Sequence, residues 1–88
     1  MAREVRVGND QGLHARPAAR LAKEAQGFKA DIRLVLGDLD VDAKSILDIL
    51  SLAAAKGTEL IIKAHGEDAE EPLDHLEAFF DTRMGEES

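Results

Sequence analysis

A chain of 88 residues, 44% hydrophobic and 33% charged, is one small soluble domain spanning residues 1–88, large enough to close a core without staples. It has no Cys, which excludes disulfides, thiolate metal sites and cysteine nucleophiles and suits a reducing compartment. Eleven basic against eighteen acidic residues (net charge −7), three Phe, and no Trp or Tyr exclude a non-specific nucleic-acid binder, and no apolar run is long enough for a signal peptide or a membrane span, so a cytoplasmic protein is expected.

In chain order, Val5 and Val7 alternate with polar residues and predict a strand over 3–7. The stretch 8–12, GNDQG, is a loop by composition. Ala18, Leu21, Ala22 and Ala25 recur at helical spacing, with Pro17 suited to a first turn and Gly27 to a stop, so a helix runs from about 15 to 26. Ile32, Leu34 and Leu36, then Leu39, Val41 and Ala43, alternate on either side of GDLD and predict a hairpin. Ser45 and Asp48 form a capping-box pattern ahead of a second helix that Lys56-Gly57 would end. Leu60, Ile62 and Ala64 mark a last strand. A third helix from Ala69, capped by Asp68 and with Pro72 in its first turn, turns Leu73, Leu76 and Phe80 inward. The order β-α-β-β-α-β-α, with strands alternating in face, predicts an α+β open-faced sandwich: a four-stranded antiparallel sheet covered by helices on one face. The acidic end past about residue 84 is expected to fray.

His14 stands at the mouth of the first helix, in GLHARPAARL, where Ser, Thr, Asp or Asn would make an ordinary cap. A helix N-terminus carries unpaired N–H groups and about half a positive charge, and phosphate binds there readily. A phosphoryl group on this ring would meet the N–H groups of Ala15 and Arg16, and the Arg16 side chain would add a charge-assisted bond. Pro17 offers no N–H and shapes the turn. On these features alone a histidine near a helix start is more often a surface or capping residue. Arg16, Arg20 and Lys23 stand at i, i+4 and i+7, a basic stripe in a stretch where Glu24 is the one acid. Such a stripe is either a solvated face or a surface that steers toward acidic partners. His65 and His75 read as plain surface residues. The three histidines lack the spacing of a metal site, and Asp38, Asp40 and Asp42 share a strand face as solvent-side charge.

GLHARPAARL, with AKEAQGF after it, AKSILDILSL and AHGEDAEE, resembles the HPr family, the histidine-containing phosphocarriers of the phosphoenolpyruvate-dependent sugar phosphotransferase system. The likeness runs nearly end to end, and the family shares the predicted element order. The resemblance implies a stoichiometric relay with no cofactor rather than an enzyme. His14 would take a phosphoryl group from enzyme I on Nδ1, and the relay would pass it to sugar-specific enzyme IIA domains. It implies further that Arg16 lies beside the phosphohistidine and that Ser45 is the target of a regulatory serine kinase and phosphorylase. Leu47, Leu50 and Leu52, with Arg20 and Lys23, would dock partners, although at least one of these leucines should be core. A monomer without nucleic-acid partners or membrane insertion is expected. A paralogous regulator or nitrogen-branch carrier shares this pattern; the purely regulatory type lacks the histidine. Asp48 departs from the Gly or Lys expected at its position.

Overall fold

The computed structural model describes residues 1–8 and 10–81. Its elements are β1 (Ala2–Arg6), α1 (Ala15–Gln26), β2 (Asp31–Leu36), β3 (Leu39–Asp42), α2 (Ile46–Ser51), β4 (Glu59–His65) and α3 (Glu70–Asp81). The strands form one antiparallel sheet in the order β1-β4-β2-β3. The α+β open-faced sandwich expected from the sequence is the fold observed.

Alternation sets the register. Val5 pairs with Leu60 and Leu34 with Ile62, both pairs buried. A one-residue slip would carry these side chains to the solvent face. That opposite face carries Glu4, Arg6, Glu59, Ile61 and Lys63, all exposed. Helices supply the rest of the core through Leu21, Ala22, Ile49, Leu73, Leu76 and Phe80. The β2–β3 turn is two residues, with Gly37 at a φ of +59°, which a Cβ would disfavour.

Several boundaries differ from those predicted. β1 is shifted to residues 2–6, while Val7 exchanges backbone hydrogen bonds with Thr58 (2.9 Å) and Gly57 (2.8 Å) beyond the strand. Leu39 is exposed at the hairpin end. α2 stops at Ser51 instead of running toward Lys56. Leu52 and Ala54 are both buried, and Ala53 between them takes a left-handed φ of +49°, so the chain reverses in order to bury its neighbours. Asp68 does not close α3; its Oδ2 accepts from the Lys29 N–H at 3.2 Å. Pro72 is buried in the first turn of α3, where a missing N–H breaks no helical bond. The fraying expected past residue 84 lies outside the described residues.

Candidate phosphoryl-accepting site

Gly12 and Leu13 place the site. Gly12 has a φ of +72°, and a Cβ on it would lie 2.4 Å from the Ala54 carbonyl oxygen and 3.0 Å from the Ala55 Cα. Leu13 is buried and donates its N–H to that same Ala54 oxygen at 2.9 Å. Two backbones are thus pressed together one residue before the histidine, and no larger residue than glycine fits at position 12.

His14 is the N-cap of α1. Its backbone is extended (φ −82°, ψ −170°), its side chain makes no capping bond, and its carbonyl accepts from the Ala18 N–H at 3.0 Å. The ring does not do what Ser or Asp would do at this position. The N–H groups of Ala15 and Arg16 therefore have no intrahelical partner, and Pro17 has no N–H at all. The first turn carries no acidic residue. The imidazole is half-buried with Nε2 turned away from solvent. Arg16 is exposed two residues on.

α1 buries Pro17, Ala18, Leu21, Ala22 and Ala25 and turns Arg16, Arg20 and Lys23 outward. Among the described residues, these three cations enter no ion pair. Elsewhere, Arg3 pairs with Asp74 and Glu77, Arg6 with Glu59, Arg33 and Lys63 with Asp40, and Lys56 with Asp10. Glu24, the acid of α1, pairs instead with His75 of α3, whose ring also lies 5.5 Å from that of Phe28. His75 is exposed, as the sequence predicts, but it is not without partners. Its partners come from α1 and the α1–β2 loop, and local spacing carries no signal of that packing.

α2 packs against α1. Ser45 is its N-cap, with Oγ accepting from the Asp48 N–H at 3.3 Å. The reciprocal half of the capping box is missing. The Ser45 N–H is taken by the Asp42 carbonyl (3.1 Å), and the Asp48 carboxylate accepts from the Asp42 N–H (3.2 Å). The leucines divide. Leu47 is 79% exposed, Leu50 is partly buried, and Leu52 is 4% exposed within the core. Leu52 follows Ile49 by three residues on the inner side of this short helix, so it cannot dock a partner. Ile46, 42% exposed beside Leu47, is a further apolar surface residue, one that the sequence does not predict.

Among the described residues, no three His, Cys, Asp or Glu side chains gather to hold a metal. A shallow cavity of about 420 Å³ lies on the open face of the sheet, lined by Met1, Asp31, Arg33, Asp40, Lys63, Ala64 and His65, none of them from the His14 site.

Against known proteins, the family described as "PTS HPr component phosphorylation site" matches residues 1–82. The phosphocarrier protein HPr of Haemophilus influenzae is 39% identical over 80 residues, 91% of this chain and 94% of the relative. The HPr-like protein Crh of Bacillus subtilis is 43% identical over 76 residues, 86% of this chain and 89% of the relative. A crystal structure of HPr-C-His from Thermoanaerobacter tengcongensis superposes with a TM-score of 0.93 at 34% identity, covering 100% of this chain and 99% of that one.

Proposed function

We propose a reaction for this protein from one premise: the chain belongs to the PTS HPr family, the phosphocarriers of the phosphotransferase system. Within that family it acts as a stoichiometric carrier. Nδ1 of His14 attacks the phosphorus held on enzyme I, and a new N–P bond forms as the bond to the donor breaks. The phosphoryl group then passes to a sugar-specific enzyme IIA domain by the same exchange in reverse.

The observation that carries this role is an α1 N-terminus left uncapped by its own N-cap histidine. The N–H groups of Ala15 and Arg16 stand ready for phosphoryl oxygens, and the Arg16 guanidinium is uncommitted to any acid among the described residues. The burial of Nε2 supports Nδ1 as the acceptor. Arg20, Lys23, Ile46, Leu47 and Leu50 supply a basic and apolar surface around the site for acidic partners. Ser45, at the head of α2, is the site proposed for a serine kinase.

Incubation with phosphoenolpyruvate and enzyme I should yield an acid-labile phosphohistidine. His14→Ala should keep its far-UV circular dichroism and take up nothing. Phosphate uptake by that variant would overturn the assignment.

A second reading is a paralogous regulator acting through Ser45, on the 43% identity to the HPr-like protein Crh. An HPr of Bacillus anthracis is also 43% identical, and retention of His14 weighs against a purely regulatory chain. A chain of that kind would take no phosphoryl group from enzyme I. We propose a monomer; a solved Crh structure is described as a swapped dimer, and sedimentation of this chain distinguishes the two. Among the described residues, no helix is long and apolar enough to cross a membrane.

A further inference from the structure

We infer that His75 is a positioning residue that holds Glu24 away from the basic stripe of α1, so that Arg16, Arg20 and Lys23 meet an acidic partner surface unneutralised. The inference rests on the carrier role for the identity of that partner.

One partner of Glu24 is observed, and helix spacing offers a second. On its own helix, Arg20 lies at i−4, the spacing at which a carboxylate and a guanidinium meet. Across the α1–α3 contact lies His75. Glu24 sits at the border between the solvent stripe and the buried side of α1, so its rotamer decides which partner it serves. In the structure Glu24 Oε1 pairs with His75 Nε2.

The ring of His75 is itself held. It lies 5.5 Å from the Phe28 ring at an interplanar angle of 60°, and Phe28 packs against the core. Arg20 is left with no ion-pair partner among the described residues. With Glu24 diverted, three cations face solvent along one stripe. With Glu24 turned back onto Arg20, one of the three would be neutralised.

Exposed ion pairs are weak, so the effect falls on association rather than on chemistry. His75→Ala should raise KM for phosphoryl transfer from enzyme I about two- to fivefold at low salt, with kcat unchanged. The rise should vanish at about 1 M salt, where the Debye length is about 3 Å. His75→Gln keeps a donor for Glu24 and should stay near the parent KM. Glu24→Gln added to His75→Ala should return KM to the parent value, because no carboxylate is then left to cover Arg20.

A merely structural His75 predicts otherwise: a loss of thermal stability with KM unmoved, and no rescue by Glu24→Gln. An unchanged KM for His75→Ala, or failure of that rescue, overturns this inference and leaves the carrier role standing. A parent chain that takes no phosphoryl group overturns the carrier role, and this inference with it.

Discussion

On the proposed carrier role, Arg16 has a narrow task beside His14, because the helix supplies two donors without it. Arg16→Ala leaves the N–H groups of Ala15 and Arg16 in place and removes one charge-assisted bond, worth about 1.5–3 kcal/mol. Transfer should slow about tenfold to a hundredfold without stopping. Quench-flow transfer rates check this, and an unchanged rate would make Arg16 an ordinary surface charge. A second residue reports through pH. Hydrogen bonds from Arg33 first, then from Lys63, hold the Asp40 carboxyl below its ordinary range. A carboxyl depressed in the folded state stabilises the fold above its unfolded value of about 3.9, and that stabilisation is lost as pH falls through the lower folded value. Asp40→Asn should therefore melt earlier than the parent at pH 7, and the difference should shrink as the pH falls below the ordinary carboxylate range. Being exposed, the group should give a small effect. A constant difference across that range would contradict the assignment.

The short helix α2 shows how two kinds of information divide an element. Its start is local: Ser45 caps it, and the hydroxyl is visible in the sequence. Its stop is tertiary. Nothing in LSLAAAKG announces a reversal after Ser51, because the cause is Ala54 reaching Leu13, 41 positions back. Ala53 bears the consequence at a φ of +49°, where a Cβ costs about 1–2 kcal/mol. Ala53→Gly should raise stability by about 1 kcal/mol, a gain of about 4–8 °C in Tm for a chain of this size. At the other end, the Asp48 carboxylate already occupies the turn beside Ser45 through the Asp42 N–H. Ser45→Asp should bring a further negative charge into that turn, where the Asp42 carboxylate also sits, accepting from the Lys44 N–H. It should destabilise the parent more than it destabilises Asp48→Gly, and it should weaken enzyme I binding. A double-mutant cycle on thermal stability measures the coupling. Zero coupling, or parent-like binding by Ser45→Asp, would remove Ser45 as a charge-controlled dock. Strands were easier to read than this helix, since Ile32, Leu34, Leu60 and Ile62 declare their face by alternation alone. The place of His14 at a helix mouth was legible for a related reason, being a local fact, whereas its chemical role came from the family resemblance. Leu52 and His75 were not legible, since burial and partners there come from elements distant in the chain.

At the scale of the whole molecule, the charge of −7 conceals its own distribution. Basic residues of the sheet are matched to acids, while those on the outer side of α1 have no acid partner among the described residues, so salt should affect association through one face of the protein. The frame of the His14 site spans the chain as well. Val7 is bonded to Gly57 and Thr58, and Leu13 to Ala54, while β1 pairs with β4 through Ala2↔Lys63 to Arg6↔Glu59. Contacts of such long separation make folding slow relative to a helical bundle of the same size. They also order events during synthesis. His14 leaves the ribosome early, but the backbone that holds its loop is not made until residues 54–58 follow. On the proposed carrier role, a nascent or truncated chain would carry the histidine without its setting and would offer enzyme I no competent acceptor, keeping unfinished copies out of the relay.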